Sequence, residues 1–196
     1  MEKVIAGNLM RLILDALRET SGPQFRAIMR QAGWEEYADH PPPDSDEPIA
    51  SLEDFLRLTQ TIYTMLGEDL YRLHQRNTGL KIAEGAIQGP WGAQIRAAAL
   101  VVPHDQRLGW YVGEYAGYMA KAGVHYTIRE EPAAWHMTLA HCPACPGIAA
   151  AKQPICTGIV VFMKKAGDLV MERRLQVAEV ACHAVDGAAC TFALYK

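Results

Sequence analysis

The chain has 196 residues, half of them apolar, and its 19 Lys and Arg against 22 Asp and Glu give a formal charge of −3. This length suits one well-buried domain, and the acidic balance excludes a basic nucleic-acid-binding surface. The best apolar run, AAALVV at 97–102, falls far short of the roughly 18 residues a membrane span needs.

The N-terminal stretch MEKVIAGNLMRLILDALRE carries an early acid, Glu2, and no cleavage pattern, so no signal peptide is expected and the cytoplasm is the default location. Its apolar residues Val4, Leu9, Leu12, Ile13, Ala16 and Leu17 recur at helical steps as far as the breaker Ser21-Gly22-Pro23. A second helix is predicted over 24–32, ending at Gly33. The proline-rich run 40–48 is a loop. Ser51 followed by Asp54 marks a helix start, because a side-chain oxygen there satisfies orphan amides. That helix carries Leu52, Phe55, Leu56, Thr59, Ile62, Tyr63 and Leu66, and further helical pattern covers 68–86. Gly89-Pro90 breaks it, and helices follow over 91–101 and 105–121.

After Gly123 the texture changes. VHYTIREE and AWHMTLAH are rich in β-branched and aromatic residues and predict an antiparallel pair. CPACPGIAAAKQP is a loop, an apolar helix follows over 157–166, and LQVAEVACHA and AACTFALY flank Asp186-Gly187, a tight hairpin signal. This order predicts an α+β fold with N-terminal helices packed on an antiparallel sheet. One domain is expected over 1–196, with a helical part at 1–88 and a pocket and metal-binding part at 89–196.

Five cysteines, an odd number, with no secretion signal favour reduced thiols and metal over a disulfide framework. Cys156, Glu179, Cys182 and Cys190 suit a tetrahedral Zn²⁺, and four protein ligands make such an ion structural. A hairpin about Asp186 sets Cys182 opposite Cys190. Strict alternation puts Glu179, three residues before Cys182, on the other face, so it joins only if the strand is bulged or begins late. Cys156 would arrive from the start of the apolar helix. On spacing alone, buried thiols or a 182–190 disulfide stand as alternatives. Cys142-Pro-Ala-Cys145 is a rival metal knuckle, and its prolines, Pro143 and Pro146, argue against a thioredoxin-type role.

Large rings concentrate between 91 and 137: Trp91, Trp110, Tyr111, Tyr115, Tyr118, Tyr126 and Trp135, interleaved with Gly109, Gly113, Ala116 and Gly117. They build either core or an apolar pocket with a few polar anchors. Pocket candidates are Trp135, Met137 (which shares its strand face), His104, Arg107, Trp110, Tyr111, Tyr115 and Phe162.

The spacing C-x₂₂-E-x₂-C-x₇-C, followed by an aromatic-apolar strand, resembles the 4-vinyl-reductase domain family, which includes hydrocarbon-binding proteins and the phenol-sensing domains of certain bacterial activators. The resemblance is best over 135–195 and weaker over the N-terminal helices. It implies a fold like the TRAPP vesicle-tethering subunits and the nitric-oxide-signalling ligand-binding proteins, often homodimeric, with zinc on Cys156, Glu179, Cys182 and Cys190. It also implies a ligand-holding role for Trp135. The upstream histidine of the phenol sensors falls on Arg107 here, with His104 nearby, which puts phenol itself in doubt as the ligand. The expected function is a sensor or carrier for a hydrocarbon, aromatic or tetrapyrrole-like ligand, with any output passing through a signalling partner. No dinucleotide fingerprint, P-loop or nucleophile elbow is recognisable. A tetrapyrrole enzyme and a purely structural dimer module are the alternatives.

Overall fold

The computed structural model describes residues 3–145, 147–171 and 173–196. Glu2 and Pro146, both used in the sequence reading, lie outside the described residues.

Helices occupy the first two thirds. Strand β1 (Lys3–Ala6) leads into α1 (Gly7–Ser21), which buries Met10, Ile13, Leu14, Ala16 and Leu17 at helical spacing. Helix α2 (Phe25–Ala32) ends where Gly33 adopts a left-handed φ of 78°. Strand β2 (Pro48–Ser51) pairs antiparallel with β1 in a small separate sheet. The sequence reading missed this ribbon, because each strand has four residues and runs straight into a helix whose pattern dominates the window.

Ser51 caps α3 (Leu52–Gln88) with a full capping box: its hydroxyl accepts from the Asp54 amide and the Asp54 carboxylate accepts from the Ser51 amide. Gly67, at φ 74°, breaks α3 into the two helical stretches read from the sequence. Helices α4 (Pro90–Val101) and α5 (Arg107–Ala120) follow, joined through a 3-10 turn at His104–Gln106.

The last third forms the main sheet. Strands β3 (Thr127–Glu130) and β4 (Ala134–Leu139) pair as expected, with Glu130 opposite Trp135. Helix α6 (Thr157–Met171) outruns its predicted end at 166 by more than a turn. Strand β5 (Val177–Ala181), a short helix α7 (His183–Asp186) and β6 (Cys190–Tyr195) complete the chain. The strand order is β3-β4-β6-β5, with every pairing antiparallel. The tight hairpin at Asp186-Gly187 is corrected: α7 fills the connection and Gly187 ends it at φ 79°. Cys182 therefore precedes a helical turn and does not pair with Cys190 across a ladder; the last pair of β5 with β6 is Ala181 with Thr191.

One apolar core runs from Met10 to Leu194. Its tightest seam is the crossing of α3 over α6. A Cβ added to Gly79 would lie 2.2 Å from the Gly158 carbonyl oxygen, and one added to Gly158 would lie 2.5 Å from the Gln75 carbonyl. Only two glycines allow that backbone contact. It brings the start of α6, and Cys156 with it, against the middle of α3.

Candidate metal centre and adjoining cleft

Five cysteines that are far apart in sequence converge at one point. Cys142 and Cys145 come from the turn after β4, Cys156 immediately precedes α6, Cys182 sits between β5 and α7, and Cys190 opens β6. All five are buried and unpaired by disulfides. Sulfur–sulfur distances are 3.4 Å for Cys142–Cys156, 3.3 Å for Cys145–Cys190 and 3.7 Å for Cys156–Cys190.

Glu179 reaches the same point through a bulge. From Glu179 to Ala181 strand β5 advances two residues while β6 advances one, from Phe192 to Thr191. The extra residue turns Glu179 and Cys182 toward the same centre, which regular alternation forbids. Its Oε2 accepts from the Cys156 amide at 2.9 Å, while Oε1 is buried with no hydrogen-bond partner. The ligand atoms of Cys156, Glu179, Cys182 and Cys190 all lie within 4.8 Å of one another. A second quartet, Cys142, Cys145, Cys156 and Cys190, meets the same limit.

The electrostatics suit a cation. Burial, and then Cys182, push the Glu179 carboxyl up to about 8. Contact with Cys142 and the other thiols pushes Cys156 up, even though the N-terminal end of α6 favours a thiolate. Cys142 also pushes the Cys145 thiol up to about 12, whereas Cys182 comes down to about 6, chiefly through Cys145. Protons are thus shared unevenly: Cys145 and Cys156 are pushed up while Cys182 and Cys190 come down, so the crowded sulfurs ionise only in part without a counter-charge. The donor set fits zinc: corners of a tetrahedron around an ion at ~2.3 Å lie about 3.8 Å apart.

Outer contacts hold the cluster. The Tyr71 hydroxyl on α3 donates to the Ala144 carbonyl within the Cys142–Cys145 turn, and Gln75 Nε2 donates to Tyr71 at 2.8 Å. The His183 amide donates to the Cys190 sulfur at 3.4 Å. The Ala151 amide donates to Ala184, and the Lys152 amide to Glu68, tying the intervening loop to α7 and α3. Nothing in the sequence pattern points to Tyr71, which is remote in the chain from Cys190.

A cleft of about 510 Å³ lies elsewhere, lined by Leu108, Gly109, Trp135 and Met171 with a rim of His104, Asp105, Gln106, Glu130, Arg173 and Lys196. Trp135 lies so close to α5 that a Cβ on Gly109 would come within 3.0 Å of its ring. Lys196 pairs with Glu130 at 2.7 Å across the rim.

Of the sequence candidates, Trp135 and His104 line this cleft. Arg107 donates to the Val102 carbonyl at 3.1 Å and to the Val170 carbonyl at 3.5 Å, tying α5 to the ends of α4 and α6. Trp110 is half-buried beside the core. Tyr111, Tyr115, Met137 and Phe162 are buried. The Tyr111 hydroxyl donates to the Met163 carbonyl at 2.6 Å. Tyr115 and Phe162 join Trp91, Tyr118 and Tyr126 in a chamber of touching rings with centroids 4.4–6.4 Å apart. The hydroxyls of Tyr115 and Tyr126 face one another, yet neither they nor the Trp91 N–H reach a partner at normal hydrogen-bond distance.

A scan against protein-family models finds no match, and a search of curated proteins finds none. Solved structures do match. The chain shares the H-NOX fold. An H-NOX structure from work on heme distortion superposes with a TM-score of 0.57 at 12% identity, over 97% of this chain and 94% of that one. A doubly substituted Tt H-NOX gives 0.55 at 13% identity, with coverages of 97% and 94%. A structure from work on heme redox potential and porphyrin distortion gives 0.50 at 11% identity, over 98% of this chain and 100% of that one. The likeness bears out helices packed on an antiparallel sheet as the architecture. Among the described residues, no helix is long and apolar enough to cross a membrane.

Proposed function

We propose that this chain is a zinc-stabilised small-molecule-binding module of the 4-vinyl-reductase kind, a sensor or carrier for an apolar or aromatic ligand. One observation carries the reading: the same three elements run from the cysteine cluster to the cleft. Helix α6 starts after Cys156 and ends at Met171 in the cleft wall. Strand β6 starts at Cys190 and leads to Lys196 on the rim. Strand β4 sets Leu139 beside Cys190 at one end and Trp135 beside Leu194 at the other. A divalent ion on Cys156, Glu179, Cys182 and Cys190 would fix these elements at one end and so the cleft walls at the other. With all four positions filled by protein, the ion is structural.

The cleft has an apolar floor and a charged rim, the usual build of a site for a ring with one polar group. Trp135 supplies the stacking surface, and His104 is the nearby polar anchor. The H-NOX structures concern heme, but the aromatic chamber here does not fit one. Trp91 stacks on Tyr118 at 4.4 Å and Phe162 meets both edge-on, so side chains fill the space between α4, α5 and α6. Among the described residues the buried histidine is His74; desolvation lowers it to about 4, and it packs against Tyr71 on α3.

Native mass spectrometry of freshly purified protein tests the proposal. Zinc bound to every chain and a retained small apolar molecule are expected. A metal-free, ligand-free chain that folds equally well would contradict it. A second copy is the proposed partner, supported by Leu100 and Val101 at the end of α4, which are 82% and 81% exposed; the same spectrum reads the oligomeric state.

A further inference from the structure

The metal reading above uses four donors and leaves two thiols over. With one ion on Cys156, Glu179, Cys182 and Cys190, the thiols of Cys142 and Cys145 stay buried in contact with sulfurs already bound to metal, at 3.4 Å from Cys156 and 3.3 Å from Cys190. Ordinary core packing gives no reason to press two more thiols against a thiolate cluster. Their placement is also deliberate. They sit on a turn with two residues between them, the arrangement by which a C-x-x-C knuckle offers both sulfurs to one ion. Tyr71, fully buried, is hydrogen-bonded to the carbonyl of Ala144 inside that turn.

The two quartets have Cys156 and Cys190 in common, and those sulfurs lie 3.7 Å apart. We propose that the six donors form a two-ion thiolate centre, with Cys142 and Cys145 terminal on the second ion, Glu179 and Cys182 terminal on the first, and Cys156 and Cys190 bridging both. The charge balance permits it. A second divalent ion brings two positive charges as the Cys142 and Cys145 thiols release two protons, so the net charge of this buried pocket does not change. A thiolate-rich donor set selects zinc or another thiophilic ion over magnesium or calcium. The ion class is therefore a soft or borderline divalent metal, and the site ties the loop after β4 to the β5–β6 connection.

This inference rests on the metal reading only through the shared residues Cys156 and Cys190, and stoichiometry separates the two. The test is Zn²⁺ titration of reduced, metal-free full-length protein, read by native mass spectrometry and by counting thiols that react with a disulfide reagent. The wild type is expected to bind two ions and to protect all five thiols. Cys142→Ser/Cys145→Ser should bind one ion. Glu179→Gln/Cys182→Ser should also bind one, with Cys142 and Cys145 still protected. X-ray absorption on the wild type, which needs no variant to fold, should show a sulfur-rich average shell and a short metal–metal vector. One ion in the wild type, with Cys142 and Cys145 reacting freely, would overturn the two-ion centre and leave the four-ligand site standing. One ion that disappears from Cys142→Ser/Cys145→Ser would overturn both assignments. No ion in the wild type would overturn the metal reading as a whole.

Discussion

The two ends of α6 are built on opposite principles. At its N-terminal end five sulfurs and a carboxylate crowd into a buried site held by backbone amides, Tyr71 and a glycine-to-glycine helix crossing. At its C-terminal end Met171 faces an open cleft with an apolar floor and charged rim residues. The first end is buried and closely packed; the second leaves room for something to enter. With a metal in the cluster, the sheet and helix shared between the two ends would make the cysteine end the fixture for the open one.

Cys190→Ser should break this contrast most severely, because Cys190 belongs to both quartets. Bound metal should fall to near zero, with a stability loss on the order of 4 kcal/mol in thermal or denaturant unfolding. A variant that keeps its metal would show that the cluster does not depend on Cys190.

Gly79→Ala comes next. The added methyl meets the Gly158 backbone, so α3 and α6 must separate, at a cost of about 1–3 kcal/mol. Metal affinity should fall with it, since Cys156 is carried by that contact. An unchanged melting temperature would refute the close crossing.

Trp135→Ala should act only at the open end. It should weaken binding of a small aromatic probe such as 1-naphthol by about tenfold, roughly 1.4 kcal/mol, while leaving metal content as in the wild type. Equal probe affinity would move the ligand site elsewhere. Tyr71→Phe removes the buried hydrogen bond to the cysteine turn together with the one from Gln75, and should cost about 1 kcal/mol. It should also raise the reactivity of Cys142 and Cys145 toward thiol reagents.

A pH dependence is expected in metal-free protein. The Glu179 carboxyl stands at about 8 in the folded chain against 4.5 for the free group. The folded state therefore holds the proton more tightly, and its stability falls as pH rises through that window. Glu179→Gln lacks this loss, so the variant should gain on the wild type from about pH 4.5 to about pH 8 and stay level below it. The Cys182 thiol, lowered to about 6, acts in the opposite direction but is present in both proteins. A constant difference across that range, measured by urea unfolding, would show that Glu179 is not desolvated.

The cysteine end is the more legible one in the sequence. Thiols and a carboxylate announce themselves by type and spacing, and the alternation of the strand already demands a bulge or a late start for Glu179 to join; the bulge is what the structure has. The helix starts at Ser51 and Pro90, the break near Gly67 and the β3–β4 pair were readable for the same reason: capping and turn chemistry are local. Non-local contacts were hidden. Asp186-Gly187 looked like a two-residue turn, yet the cluster on either side recruits a helical turn. Tyr71 acts across the fold, and the ribbon of β1 with β2 joins segments separated by two helices. The ring-rich stretch showed its composition but not its partition: Trp135 faces the cleft, whereas Tyr111, Tyr115 and Phe162 are buried in the core.

The most direct measurement is the affinity of the wild-type protein for 1-naphthol before and after its metal is removed by a chelator under reducing conditions. If the cluster fixes the walls of the distant cleft, removal should weaken binding at least tenfold and re-addition of Zn²⁺ should restore it. Equal affinity in the two states, with the protein still folded, would contradict the coupling of the two ends.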